Sequence, residues 1–252
     1  MIASQNKKSQ FAQYFTPASI AGFMANLFVR NDNITHCRLL DPGAGAGALS
    51  STFLERCISG GLEFEQVEVD AFEIDESLQQ TLMENLGRYD RYPGIKTRTW
   101  NSDFIELTTD WLSENLFTAK KLESYTHSIL NPPYKKIRSN SAHRIALRRI
   151  GIETVNLYSA FVAVSIALLE NNGQLVAIIP RSFCNGPYYR SFREFILEKA
   201  AIHHIHLFKS RSKAFKKDAV LQENIIMHLE RSAPQGEVTV TTSTDDTFSD
   251  IE

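Results

Sequence analysis

Apolar and polar residues follow two different spacings along the chain, and these predict helices alternating with strands. Residues 17–30 carry apolar side chains at helical spacing, and Pro17 suits a first helical position, so this segment is predicted to form an amphipathic helix. The same spacing predicts helices over 48–58, 76–86, 155–170 and 188–199, and Asn172-Gly173 is expected to end the helix at 155–170. Short apolar or alternating segments predict seven strands, over 38–40, 66–73, 95–100, 126–130, 174–179, 202–208 and 224–229.

Strands that alternate with helices indicate an α/β fold, with a mostly parallel seven-stranded sheet and helices on both faces. Such sheets bind ligands at the carboxyl ends of their strands. Residues 1–230 account for all of the predicted elements. The tail at 231–252 is acidic and rich in Ser and Thr, and it has little to bury, so it is expected to be a linker or the start of a further domain.

Composition places the chain among ordinary globular proteins. Of its 252 residues 43% are hydrophobic and 22% are charged. The first residues are polar, and no window has the roughly 18 apolar residues of a membrane helix, so neither a secretory signal nor a membrane partner is expected. Cys37, Cys57 and Cys184 are far apart in the sequence, which favours reduced thiols in a cytoplasmic protein.

The net charge of −2 argues against a nucleic-acid partner, but the distribution of charge argues for one. Residues 135–149 contain six basic side chains and no acid, and 209–217 form a second basic stretch. A solvated face is the common explanation of such a run. Both stretches, however, lie beside segments with candidate chemistry, which favours contacts with phosphates.

A glycine-rich turn, Asp41-Pro42-Gly43-Ala44-Gly45-Ala46-Gly47, follows the first predicted strand. Glycine lets a backbone pass close to a ligand, because it has no Cβ and accepts positive φ. The G-x-G-x-G spacing is not that of a dinucleotide site, and no Lys-Ser/Thr follows as in a P-loop. Asp41 would repel a pyrophosphate but attract the amino group of a methionine moiety. A tight turn without a ligand remains the alternative.

Two further acidic positions follow the next two predicted strands. Glu73-Ile74 closes the second strand, where a carboxylate can accept both hydroxyls of a ribose. Asp103-Phe104 follows the third and combines a hydrogen-bond acceptor with an aromatic face, which suits an adenine ring and its amine. An acidic residue at a strand end, taken alone, is more often a solvent-exposed cap than a ligand contact. Their order after successive strands favours a common ligand.

The most specific motif is Asn131-Pro132-Pro133-Tyr134, directly after the fourth predicted strand. An aromatic amine is a poor nucleophile, because its lone pair is delocalised into the ring. The Asn131 side-chain oxygen and the Pro132 carbonyl would accept both of its N–H groups and free that lone pair. Prolines keep this backbone rigid, and Tyr134 would stack on the target ring, which contributes roughly 1–3 kcal/mol. Methyl transfer then depends mainly on alignment.

These motifs together resemble the gamma-order amino-methylating DNA methyltransferases, and most closely the adenine-N6 enzymes of restriction–modification systems. Gln13-Tyr14-Phe15-Thr16-Pro17 resembles the N-terminal cofactor motif of that group, and 17–30 would be its helix. The resemblance implies a Rossmann-like class I methyltransferase fold that binds S-adenosylmethionine. The cofactor-binding residues that it implies are Tyr14, Thr16, Pro17, Asp41, Gly43, Gly45, Gly47, Glu73, Ile74, Asp103, Phe104 and Asn131.

The same resemblance implies residues for the substrate. Asn131, Pro132, Pro133 and Tyr134 would receive a base extruded from double-stranded DNA, and asparagine at the first position favours adenine over cytosine. Phe215 is the candidate for a second stacking aromatic. Lys135, Lys136 and Arg138 are expected to contact DNA. No metal is expected, and His203, His204 and His206 are assigned structural or surface roles.

One departure from the group concerns sequence recognition. Gamma enzymes usually carry a target-recognition domain after the catalytic one, and the tail is too short to supply it. Either the chain is part of a longer protein, or recognition comes from another polypeptide. A cognate restriction endonuclease is a further expected partner.

Two alternatives to DNA adenine methylation remain open at this stage. The same tetrapeptide serves methylation of a glutamine side chain in protein or of guanine N2 in ribosomal RNA. The other alternative is a catalytically inert subunit of a modification complex.

Overall fold

A computed structural model describes residues 16–117, 124–209 and 223–252 of the chain. In its first half the elements are α1 (Ala18–Asn26), β1 (His36–Pro42), α2 (Ala48–Ile58), β2 (Gln66–Phe72), α3 (Glu76–Gly87), β3 (Ile95–Trp100), α4 (Phe104–Phe117) and β4 (Tyr125–Leu130). The second half contains α5 (Ala142–Arg149), α6 (Leu157–Leu168), β5 (Leu169–Pro180), two 3-10 turns (Arg181–Cys184 and Pro187–Tyr189), α7 (Arg190–Lys199), β6 (Ala200–Phe208), β7 (Asn224–Arg231) and β8 (Thr239–Ser243).

The described strands form one sheet in the order β3-β2-β1-β4-β5-β7-β6-β8. Strands β1 to β5 run parallel to one another, β7 is antiparallel to β5 and β6, and β8 is parallel to β6. The chain reverses the strand order between β1 and β4, where α/β sheets bind their ligands. The prediction of a mostly parallel α/β sheet is therefore confirmed.

Two hydrophobic cores cover the two faces of this sheet. Neighbouring strand residues point to opposite faces, so Leu39 packs in one core and Leu40 in the other. Helices α1, α2 and α3 cover the Leu39 face, and α4, α5, α6 and α7 cover the Leu40 face. None of the helices in the described ranges combines the length and the apolar character that crossing a membrane requires.

The predicted count of seven strands was wrong, because part of the tail joins the sheet. β8 pairs with β6 over five residues, and the Phe248 ring stacks on that of Phe23 at 4.3 Å between centroids. His206 is fully buried, with its two ring nitrogens 2.8 Å from Thr241 Oγ1 and 3.0 Å from Ser243 Oγ. The small polar residues of β8 therefore satisfy buried groups of β6, which is why the tail packs despite its polar composition.

The fourth predicted helix ends earlier than its sequence pattern indicated. Helix α6 stops at Leu168 and β5 begins at Leu169, so Asn172 and Gly173 lie inside the strand. Asn172 has φ 63°, and the register against β4 shifts between the Leu169 and Gln174 pairings. The Asn-Gly pair thus marks an irregularity within β5, a role that these residues also serve in strands.

Candidate active site

The glycine turn lies directly against the Asn131–Tyr134 segment. Gly43, Gly45 and Gly47 have φ of 73°, 58° and 84°, a region that favours glycine. A Cβ added at Gly43 would lie 3.5 Å from the Phe161 ring and 3.9 Å from Pro133 Cδ. A Cβ at Gly45 would meet no atom within 4 Å, so the space beside that residue is open.

Asp41 is a buried carboxylate, and one of its two oxygens is hydrogen-bonded. Its Oδ2 accepts hydrogen bonds from the Ser50 hydroxyl at 2.6 Å and the Ser50 amide at 3.3 Å. Its Oδ1 has no hydrogen-bond partner among the residues that the structure describes. Burial raises the pKa of Asp41 to about 7 despite the bonds from Ser50, and the nearby Glu73 carboxylate raises it further. The buried oxygen is therefore suited to a cationic group.

Glu73, which follows the adjacent strand β2, is hydrogen-bonded to the glycine turn. Its carboxylate accepts the Gly45 amide at 2.9 Å and the Asp75 amide at 2.7 Å. Burial raises the pKa of Glu73, and these hydrogen bonds oppose the rise. The next side chain, Ile74, is apolar and 45% exposed at the same end of the sheet.

Asp103 and Phe104 follow β3 at the same edge of the sheet. Asp103 Oδ1 accepts the Glu106 amide at 3.0 Å, and Oδ2 lies 2.8 Å from His143 Nε2. Burial favours a higher pKa for Asp103, but the bonds from His143 and the backbone outweigh it, so the pKa is lowered. Phe104 is 3% exposed and packs against the rings of Phe72 and Phe161. Asp103 is thus the more accessible of the two.

The Asn131 side chain is held from two sides. Its Nδ2 donates to Thr16 Oγ1 at 3.1 Å, and its Oδ1 accepts the Tyr134 hydroxyl at 3.1 Å. The same hydroxyl lies 3.2 Å from the Ile178 carbonyl. Pro132 is buried, whereas Asn131 and Tyr134 are partly exposed. These contacts fix the asparagine, and they bring Thr16 and the following Pro17, which precedes α1, to this edge of the sheet.

The basic run at 135–149 divides into two parts in the structure. Arg144 and Arg148 pair with Glu153, and Arg149 pairs with Asp110 at 3.3 Å. Lys135, Lys136 and Arg138 are exposed at the start of the run. Lys136 and Arg138 have no ion pair with a described residue. The positive surface next to Tyr134 is therefore smaller than the sequence suggested.

The structure brings most of the predicted site residues to one edge of the sheet, and two lie outside the described residues. Hydrogen bonds link Thr16 to Asn131 and Gly45 to Glu73, and a Cβ added at Gly43 would lie 3.9 Å from Pro133 Cδ. Tyr14 and Phe215 are outside the described residues, so their roles remain predictions.

Sequence analysis did not identify three residues of the site. Ser50 binds Asp41, Phe161 contacts Gly43 and Phe104, and His143 binds Asp103. Ser50 could have been found, since it lies in the first turn of the helix that follows the glycine loop. The other two come from distant segments, and no sequence signal marks them.

Comparisons with known proteins identify relatives along nearly the whole chain. Residues 27–215 match the model of the Eco57I restriction-modification methylase family. The chain is 51% identical over 245 residues to the Type II methyltransferase M.BsuBI of Bacillus subtilis, covering 97% of the chain and 48% of that protein. It is 38% identical over 243 residues to M.PstI of Providencia stuartii, covering 94% and 46%. The chain thus spans about half the length of these relatives.

A solved structure supports the same fold at much lower identity. A Listeria monocytogenes protein assigned to the class I S-adenosylmethionine-dependent methyltransferases superimposes with a TM-score of 0.67 at 15% identity, covering 92% of this chain and 67% of that one. The fold is therefore of this class, and S-adenosylmethionine is the cofactor that it implies. The family match extends over the glycine turn, the acidic strand ends and the Asn131–Tyr134 motif. The chain belongs to the Eco57I restriction-modification methylase family.

Proposed function

We propose that the protein transfers a methyl group from S-adenosylmethionine to the N6 amino group of adenine in DNA. The observation that carries this proposal is the position of the Asn131–Tyr134 segment. It is fixed by Thr16 and packed against the glycine turn at Gly43. The names of the relatives, Type II methyltransferases, support a DNA substrate over protein or RNA.

The described residues fit the proposed cofactor. Asp41 offers a buried oxygen that has no partner among the described residues, and this oxygen would attract the positively charged amino group of the methionine moiety. The open space at Gly45 lets the ligand approach the backbone. Glu73, Ile74 and Asp103 lie at the next two strand ends, where they would contact the ribose and the adenine. When bound, the cofactor supplies an activated methyl group.

Asn131 and Pro132 would act on the amine of the target base. The Asn131 Oδ1 and the Pro132 carbonyl accept its two N–H groups and draw the nitrogen lone pair out of the ring. Asn131 Oδ1 already accepts the Tyr134 hydroxyl, and a carbonyl oxygen has two lone pairs, so it can accept the amine as well. The partly exposed Tyr134 ring is placed to stack on the base.

Duplex DNA is the proposed substrate, and the exposed Lys136 and Arg138 are placed for its phosphates. Phe215, as a second stacking aromatic, and Tyr14, beside the cofactor, complete the proposed site. A recognition domain or subunit and a cognate restriction endonuclease are the proposed protein partners. We place this activity in the cytoplasm, where host DNA is modified.

Tritiated cofactor tests the proposal directly. The protein is incubated in parallel with unmethylated bacterial DNA, ribosomal RNA and a protein extract, and the labelled DNA is hydrolysed to nucleosides. We expect label in N6-methyladenine. Label in N4-methylcytosine would contradict the choice of base, and label only in RNA or protein would contradict the choice of substrate.

The affinity for S-adenosylmethionine should depend on pH through Asp41. The pKa of this carboxyl is about 7, and only the ionised form attracts the ligand's amino group. The pKa is raised, so the carboxylate forms as pH rises and is lost as pH falls through 7. We expect binding to weaken about fivefold between pH 7 and pH 6, below the range in which the ligand's own amino group loses its proton, as measured by calorimetry.

The Asp41→Asn variant is the matched control for this pH profile. It keeps the size of the side chain but cannot ionise, so its weaker binding should show a much flatter pH dependence. An unchanged profile in the variant would show that another group controls binding.

A further inference from the structure

His143 connects the basic segment, residues 135–149, to the predicted adenine site. It lies in α5, and its Nε2 is 2.8 Å from Asp103 Oδ2. The other Asp103 oxygen accepts the Glu106 amide at 3.0 Å. About a quarter of each side chain of this pair is exposed, so a ligand can still approach the carboxylate. Asp103 is therefore held in one orientation, with lone pairs left for a further donor.

The charges around His143 favour this contact. The hydrogen bond to Asp103 and the charge of that carboxylate raise the pKa of His143, and Glu106, 3.9 Å away, adds to the rise. Burial and the charge of Lys135 oppose it. The arginines of α5 are paired elsewhere, with Glu153 and Asp110. Among the described side chains of α5, His143 is thus the one bound to Asp103.

The start of the basic segment is also hydrogen-bonded to the body of the fold. The Ile137 amide donates to the Val155 carbonyl at 2.8 Å, and the Leu157 amide donates to the Lys135 carbonyl at 2.8 Å. Lys136 and Arg138, the proposed phosphate contacts, belong to this stretch. The segment therefore joins the proposed DNA contacts to Asp103 through His143.

We propose that His143 is a positioning residue that orients Asp103 for the adenine of the cofactor and couples cofactor binding to DNA binding. This inference rests on the proposed function, since it assumes that Asp103 accepts the adenine amine. DNA held by Lys136 and Arg138 stabilises the basic segment in the position where His143 binds Asp103. Coupling of this kind is reciprocal, so each ligand strengthens binding of the other by the same factor.

Two substitutions of similar size separate a hydrogen-bonding role from a packing role. His143→Gln keeps an N–H donor and His143→Leu does not, and both residues are good helix formers. By calorimetry with S-adenosylhomocysteine, we expect binding to the leucine variant to weaken about tenfold, and binding to the glutamine variant to stay within about threefold of wild type. The thermal midpoints of the two variants serve as the check on folding.

The coupling is tested by repeating the titration with a saturating DNA duplex. We expect DNA to tighten S-adenosylhomocysteine binding several-fold in the wild type and the glutamine variant, but not in the leucine variant. Equal binding by wild type and leucine variant would overturn the inference, and so would equal weakening in both variants. A wild type that tightens no further with DNA would overturn the coupling.

The proposed function and the role of His143 can be tested separately. A wild type that binds no S-adenosylhomocysteine would overturn the proposed function, and this inference with it. The contact itself has a separate readout in the NMR titration of His143. Its pKa should be above the ordinary histidine value and should fall in Asp103→Asn. An unchanged pKa in that variant would overturn the inference even where methylation is intact.

Discussion

Replacing Asn131 with alanine should reduce methyl transfer to DNA by about a hundred- to a thousandfold. The variant loses the side-chain acceptor that draws the lone pair of the target amine out of its ring. Removing one preorganised hydrogen-bonding group from a reaction centre typically lowers kcat by about a hundred- to a thousandfold. Affinity for S-adenosylmethionine should stay within about tenfold of wild type, because the glycine turn and the acidic strand ends are untouched. Single-turnover transfer of tritium and calorimetry measure the two effects separately.

The control for this variant is Thr16→Val, which changes the residue that accepts a hydrogen bond from Asn131 Nδ2. Asn131→Ala also removes the 3.1 Å hydrogen bond to Thr16, whereas Thr16→Val removes that bond and keeps the Asn131 side-chain oxygen. Thr16 is also a predicted cofactor residue, so transfer is compared at saturating S-adenosylmethionine, where we expect Thr16→Val to lose much less activity than Asn131→Ala. A loss of transfer and cofactor affinity together in Asn131→Ala would instead mean that this residue mainly supports the cofactor pocket.

Local patterns predicted much of the fold and the order of the site motifs. The limits of α2 and β3 coincide with the predicted 48–58 and 95–100, because their patterns begin and end at sharp changes of polarity. Placement of the motifs after successive strands was enough to predict that they share one edge of the sheet. The short distance of 3.9 Å from a Cβ added at Gly43 to Pro133 Cδ agrees with that prediction.

Helix α4 was missed because polar side chains occupy its buried face. Thr108 and Thr109 are buried, and their hydroxyls bond to the carbonyls of Phe104 and Ile105 one turn earlier. These bonds satisfy the hydroxyls inside the helix, so the threonines pack where a sequence pattern requires apolar residues. Hydropathy alone cannot show that these hydroxyl groups are hydrogen-bonded within the helix.

Hydrogen bonds between distant segments were the other limit of sequence reasoning. Glu73 was predicted as a ribose ligand, and the structure also shows it accepting the Gly45 amide. Arg144 and Arg148 counted as free positive charge until the structure paired both with Glu153. Such pairs depend on side-chain direction and loop geometry, which spacing along the chain does not specify.

Replacing Gly45 with alanine should weaken S-adenosylmethionine binding by about 5- to 150-fold and lower stability by about 1–2 kcal/mol. The new Cβ would meet no protein atom within 4 Å, so it would point into the space proposed for the ligand. Forcing a methyl group into a filled contact costs roughly 1–3 kcal/mol, which corresponds to that range of affinity. The φ of 58° adds a conformational cost to folding of about 1–2 kcal/mol. Calorimetry and urea unfolding measure the two effects.

Gly60→Ala is the matched control, because Gly60 shares with Gly45 a positive φ and open space for a Cβ but lies outside the glycine turn. Gly60 has φ 80°, and a Cβ there would also meet nothing within 4 Å, but it follows α2 at the opposite end from the glycine turn. Both variants should therefore lose about the same free energy of unfolding, while only Gly45→Ala loses cofactor affinity. If Gly45→Ala binds the cofactor as tightly as Gly60→Ala does, the open space at the turn is not where the ligand lies, and the role proposed for the Gly43–Gly47 backbone fails with it.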